Sequence, residues 1–170
     1  MQVLASNEHS SFDDLDLEAV KKIACEIMML EKIPDNAELS LVFCDDDTIK
    51  DLNNNYRGKN EPTDVLSFPM PQNKFDNFEP ETILLGDIVI SLDTALRQAN
   101  ELKHSLITEI TFLLIHGILH LIGFDHINEE ERKVMLGRES DLFKKLNLNS
   151  KTKEAKISAS TVIGRTESFA

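Results

Sequence analysis

The stretch SLITEITFLLIHGILHLIGFDH, Ser105 to His126, decides the fold. From Ser105 to Leu121 it is apolar almost throughout, broken only by Thr108, Glu109, Thr111, Gly117 and the imidazoles of His116 and His120. That run is too long for an ordinary strand, and a helix that is apolar on all sides belongs in a protein interior. A buried central helix is therefore predicted. Gly123 stops it, because glycine takes the left-handed conformation that helix C-termini use.

The same stretch carries the chemistry. His116 and His120 are four apart, which places them on one helix face with Cβ atoms about 5–6 Å apart. Both rings can then reach one ion at about 2.0–2.1 Å. The bend allowed by Gly123 lets the chain double back, so that His126 becomes the third ligand. Three of the five histidines fall within these eleven residues, in an apolar setting where an unpaired imidazole costs free energy. Three protein ligands leave one position open, the arrangement of catalytic rather than structural zinc. One Zn2+ is the expected cofactor, although three imidazoles and an open position also suit nickel or copper.

The spacing H-x3-H-x5-H with Gly123 is that of the metzincin proteases. Those enzymes need Glu directly after the first histidine as general base, and here that residue is Gly117. The spacing supports the ion, while the missing carboxylate argues against peptide hydrolysis. A phosphodiester suits what remains: an ion polarises a phosphoryl oxygen, and the transition state calls for further positive charge. Arg57, expected in the loop Tyr56–Pro62, supplies bidentate geometry matched to phosphate oxygens, and Lys59 adds a second cation. Asp125 either orients a histidine, acts as a proton acceptor or caps the helix that follows. Asp64 and Ser67 read as loop-fixing residues. Asp87, a polar residue in an apolar strand, needs a hydrogen-bond partner if buried, either structural or in the site.

Outward from this block, Leu15–Leu30 has helical spacing, with Leu15, Ala19, Ile23, Ile27 and Leu30 expected inward and Asp13 or Asp14 as cap. Glu38–Cys44 alternates as a strand. Asp45, Asp46 and Asp47 open a helix through Leu52, frayed at Asn53, Asn54 and Asn55. Asp64–Phe68, bounded by Pro62 and Pro69, reads as an edge strand, Met70–Glu81 as a loop, Thr82–Ser91 as the strongest strand and Leu92–Glu101 as a helix. Glu129–Leu146 is a last amphipathic helix, with Val134, Leu142 and Leu146 inward. The fold class is α+β: a small mixed β-sheet covered by helices, with the metal site at the C-terminal end of a buried central helix. Residues 1–146 form one metal-dependent hydrolase domain, and 147–170 a polar, flexible tail.

The 170 residues suit one domain. The polar start, Met1–Ser11, is not a signal peptide, and no apolar run crosses a bilayer, so a cytoplasmic, non-membrane protein is expected. Cys25 and Cys44, outside any CxxC pair, read as core thiols. The net charge is −12. Residues 147–170 carry +2 and the rest −14, a body that repels a polyanion at long range. Contact with such a polyanion must then come from a local cation, a metal or delivery by a partner.

In order along the chain stand Leu52-Asn53 with Tyr56-Arg57-Gly58, then Pro62-Thr63-Asp64-Val65-Leu66-Ser67-Phe68-Pro69, then Leu85-Gly86-Asp87-Ile88, then the histidine block. Through these motifs, over about Leu39–Leu146, the chain resembles the YbeY family of rRNA maturation factors and single-strand endoribonucleases. The resemblance implies a zinc-type ion on His116, His120 and His126, an important arginine at Arg57, and work on single-stranded RNA in 16S rRNA 3′-end maturation and ribosome quality control, among ribosomal proteins or ribosome-associated factors. Either water at the ion or a ribose 2′-OH is the nucleophile. The family pattern gives the tail no function. Two other readings compete: a non-catalytic ribosome-assembly protein with a structural metal, which the acidic body favours, and a metallopeptidase-like hydrolase.

Overall fold

The computed structural model describes residues 1–71 and 81–149. Its elements run β1 (Gln2–Asn7), α1 (Leu17–Leu30), β2 (Ala37–Cys44), α2 (Asp46–Arg57), β3 (Val65–Pro69), β4 (Ile83–Ser91), α3 (Leu92–Glu101), α4 (Leu106–Leu121) and α5 (Glu129–Asn149). The four strands form one mixed sheet in the order β1-β2-β4-β3. β1 and β4 flank β2 in parallel, and β3 runs antiparallel along β4 at the edge. The α+β class read from the sequence is the class observed.

Alternation sorts the sheet residues onto two faces. Leu39, Leu41, Phe43, Val65, Ile88 and Ile90 join the large core beneath α1 and α4. Val42, Leu66, Phe68 and Val89 join a smaller cluster around Ile49 and Leu52 of α2. α4 is the central helix: every residue from Glu109 to Leu119 is buried. Ser105 caps it, its side chain accepting from the Thr108 N–H. α5 packs across α4, with Phe143 stacked on Phe112 at 4.0 Å between ring centroids. Arg138 fastens α5 to the end of α1 by a 2.6 Å bond from Nε to Glu31 Oε1.

A bulge brings sheet and helix together where the site forms. Glu38 pairs with Leu84 but Leu39 with Gly86, so Leu85 is the extra residue. Gly86 has φ +139°, and a Cβ there would lie 2.2 Å from the Phe68 carbonyl oxygen and 3.1 Å from Leu121 Cδ2. Only glycine lets β3 and the end of α4 close on this point.

Several elements depart from the sequence reading. β1 was not anticipated, since Met1–Ser11 reads as polar; its partner is β2, some 36 residues on, and local pattern carries no trace of such a pairing. α1 starts after Asp16, whose side chain caps it, rather than Asp13 or Asp14. It buries Val20, Ala24, Ile27 and Met28, because its apolar arc is broad enough for packing to choose another centre line. α2 does not fray at its asparagines but continues to Arg57, where Gly58 takes φ +68°. Asn53 is buried, and its Nδ2 donates to the Glu61 carbonyl at 2.8 Å, pinning the following loop. In α5, Val134 is 58% exposed and Met135 turns inward in its place. α5 also runs three residues beyond Leu146, into the stretch read as tail. Residues 150–170 of that stretch lie outside the described residues, as do 72–80 of the loop expected at Met70–Glu81. Among the described residues no single helix is long and apolar enough to cross a membrane.

Candidate metal centre

α4 ends in a Schellman turn. The Gly123 N–H donates to the His120 carbonyl at 3.1 Å and the Phe124 N–H to the Leu119 carbonyl at 3.0 Å. Gly123 supports this with φ +100°. The chain reverses, and His126 comes back against the helix it has just left. His116, His120 and His126 converge, with one ligating nitrogen from each ring lying within 4.8 Å of the other two. Nε2 of His116 and Nε2 of His120 are 3.1 Å apart. Two nitrogens bound tetrahedrally to zinc sit roughly 3.4 Å apart, so the first pair is already near ligand spacing.

The partner that orients the first ring lies on α5. Glu139 Oε1 is 2.7 Å from Nδ1 of His116, and the two side chains are both largely buried. A carboxylate only accepts, so it holds the proton on Nδ1 and leaves the Nε2 lone pair facing the cluster. The sequence reading offered Asp125 for this work. Asp125 Oδ1 instead accepts the His126 backbone N–H at 2.7 Å and stands 4.0 Å from that residue's Nδ1. Nor does Asp125 cap α5: the Glu130 and Glu131 N–H groups bond to Asn128 Oδ1. Glu139 carried one signal in the sequence, an acid set in the inward stripe of Met135, Leu142 and Leu146.

Burial, followed by the neighbouring His116 and His126, pushes His120 down to about 4. The ring is therefore neutral at ordinary pH, as a metal ligand must be. Three convergent imidazole nitrogens, the first held by a carboxylate, fit a divalent transition-metal ion. The described residues supply three such donors and not four, the count of a site with an open position.

The rings line a cleft of about 540 Å³ between the end of α4 and the edge strand β3. Tyr56 and Arg57 stand on its other wall with Ser67 and Phe68. Arg57 is exposed and is the one lysine or arginine among the described lining residues. It lies in the last turn of α2 rather than in a loop, where a cation also suits the helix dipole. Lys59 is not among the lining residues; its N–H bonds back to the Asn53 carbonyl. Asp87 falls on the sheet face turned away from α4, alongside Phe68 in register, and outside the cleft lining. Asp64 fixes its loop: Oδ1 accepts from the Val65 N–H at 2.8 Å and Oδ2 from Gln98 Nε2 at 3.0 Å. Ser67 Oγ donates to the Gly117 carbonyl at 3.4 Å, bonding β3 to α4.

Gly117 has a positive reason to be glycine. A Cβ there would stand 2.9 Å from Ile88 Cδ1 and 3.2 Å from Ser67 Oγ. The residue after the first ligand faces the sheet, and no carboxylate can enter the site from it.

The model of the family described as Endoribonuclease YbeY matches residues 3–147. An endoribonuclease YbeY of Pelotomaculum thermopropionicum is 45% identical over 150 residues, covering 87% of this chain and 99% of its own. That of a Thermoanaerobacter species is 39% identical over 157 residues, with the same coverage. That of Clostridioides difficile is 43% identical over 132 residues, covering 78% of this chain and 86% of its own. The solution structure of a Thermotoga maritima protein superposes with a TM-score of 0.57 at 25% identity, over 92% of this chain and 99% of that one. With the glycine-turned histidine cluster and a match that spans nearly the whole described chain, the protein belongs to the YbeY family.

Proposed function

We propose that this chain is a metal-dependent endoribonuclease that cuts single-stranded RNA, and that its cellular work is rRNA maturation, including the 16S 3′ end, and ribosome quality control. The observation that carries the reading is one cleft with two unlike walls: three converging imidazoles on one side and an exposed arginine on the other. The relatives named above as endoribonucleases supply the substrate class.

A divalent ion held by His116, His120 and His126 supplies Lewis acidity to a phosphoryl oxygen and acidifies water. The chain's own residues do the rest. Glu139 holds the His116 ring and its tautomer. Arg57 reaches across the cleft to the scissile phosphate and steadies the charge that grows on its oxygens. Phe124 and Phe68 supply apolar lining to the cleft. The nucleophile is water or the ribose 2′-OH, and a 2′,3′-cyclic phosphate product would identify the latter. Ribosomal proteins are natural partners for a body of charge −14, because many-fold repulsion of free RNA is relieved when a basic partner delivers the substrate. The cytoplasm is the compartment this work implies.

The acidic body also favours the reading of a non-catalytic assembly factor with a structural metal. Arg57→Ala separates the two. Cleavage of a single-stranded RNA should fall by about 10²–10³, with zinc content and Tm unchanged. Equal cleavage by the variant would take the arginine out of the mechanism, and a zinc-loaded parent that binds but does not cut the RNA would favour the assembly factor.

A further inference from the structure

We propose that Tyr56 is a stacking platform for one unpaired nucleobase of the bound strand, next to the phosphate held by Arg57; the inference rests on the ribonuclease reading above and assigns a base subsite to that cleft. Tyr56 is 68% exposed. A lone exposed aromatic is ordinary on a protein surface; this one stands apart because it lines the cleft beside Arg57. The ring does not swing at random: it meets Phe68 edge-to-face, with centroids 5.0 Å apart and planes at 63°. Phe68 is itself half-buried and packed on the α2 cluster. The platform is therefore backed by the core while most of its surface stays open.

Its place in the chain gives the occupant. Tyr56 and Arg57 are consecutive in the last turn of α2, and Gly58 ends the helix at once. Both line the cleft that holds the three histidines. A planar aromatic beside a guanidinium matches the alternation of base and phosphate along a single strand. A base within a duplex is already stacked on both faces and offers none to the ring. In a body of net charge −14, stacking also provides affinity that does not depend on charge.

The chain contains one tyrosine and no tryptophan, so its emission under 280 nm excitation, on the order of the usual tyrosine band, reports Tyr56 alone. The zinc-loaded full chain is titrated with a labelled 2′-O-methyl single-stranded RNA hexamer, intact on a gel afterwards, and with the same hexamer made abasic. Tyrosine emission, corrected against free tyrosine amide, and label anisotropy are followed together. Emission should be quenched in step with the rise in anisotropy, and the abasic strand should bind more weakly. Tyr56→Ala should weaken binding roughly 5- to 150-fold, the equivalent of about 1–3 kcal/mol per stacked base, while Tyr56→Phe stays within about twofold of the parent. Rising anisotropy with unchanged emission, or abasic and parent strands bound equally, would overturn the subsite and leave the ribonuclease reading standing. A wild-type protein that neither binds the hexamer nor cuts unmodified single-stranded RNA would overturn both.

Discussion

On the α4–α5 side of the cleft, His116 and Glu139 are 7% and 9% exposed and joined by a 2.7 Å contact. On the α2–β3 side, Tyr56 is 68% exposed and Arg57 projects from the last turn of its helix. The first wall is set by the core. Its ring cannot turn without breaking a buried contact, which suits groups that must meet one ion within a few tenths of an ångström. The second wall is set by a helix stop and a single aromatic contact, which suits groups that must meet a flexible strand arriving from solvent. On this division, damage to the first wall is felt in folding and metal affinity. Damage to the second is felt only by the substrate.

The largest expected effect comes from pushing a carboxylate into the first wall. Gly117→Glu would place a Cβ 2.9 Å from Ile88 Cδ1 and bury a charge against an apolar sheet. We expect a loss of at least about 3 kcal/mol, a Tm lower by roughly 10 °C, and no gain of peptidase activity. A variant that melts with the parent and cleaves peptides would show that the helix face toward the sheet has room, and would revive the peptidase reading. On the second wall, Arg57→Ala should cost about 10²–10³ in kcat/KM with no change in melting. Arg57→Lys should recover only part of it, because an ammonium lacks the bidentate fork. A Tm lowered by Arg57→Ala would instead tie this side chain to the fold.

Between these lies Glu139. Glu139→Gln keeps an acceptor for Nδ1 but removes the charge, and Glu139→Ala removes both. Zinc affinity, measured by competition with a chelator, should fall about 10- to 100-fold, with Ala at the larger end. The Tyr56 and Arg57 variants should hold zinc as tightly as the parent. Equal zinc affinity in Glu139→Ala would show that the histidine rings are held by packing alone.

The same division governs what was legible in the sequence. The metal wall is mostly local: His116, His120, Gly123 and His126 fall within eleven residues, and a helix period plus a glycine stop suffice to fold them together. α3 and the strand ending at Ser91 were legible for the same reason, since each carries a complete local pattern. What escaped depends on distant partners. β1 pairs with a strand some 36 residues away. Glu139 meets His116 across 23 residues. The end of α2 was lost because three successive asparagines are poor helix formers, and their continuation rests on a tertiary bond from Asn53 to Glu61. Arg57 could be singled out as a cation in an acidic body, but nothing local to it says that β3 and the end of α4 line the same cleft. Gly117 could be read only as a missing glutamate, because Ile88 and Ser67, which a Cβ there would meet, lie in other segments.

The last expected effect concerns pH, and it tests the burial of the first wall without any substrate. His120 ordinarily titrates near 6.5, and in the folded chain burial and the adjacent histidines push it down to about 4. Between those values the unfolded chain binds a proton that the folded chain refuses, so the metal-free protein should lose stability as pH falls through this window and regain it above about 6.5. Melting of the metal-free parent from pH 7.5 to 4, set against His120→Asn, isolates the contribution: the variant should show the shallower fall. Arg57→Ala should follow the parent's slope, because its guanidinium belongs to the exposed wall. Equal slopes for parent and His120→Asn would mean that the imidazole is as solvated as in the unfolded chain, and the contrast between a core-built wall and an open one would fail at its central residue.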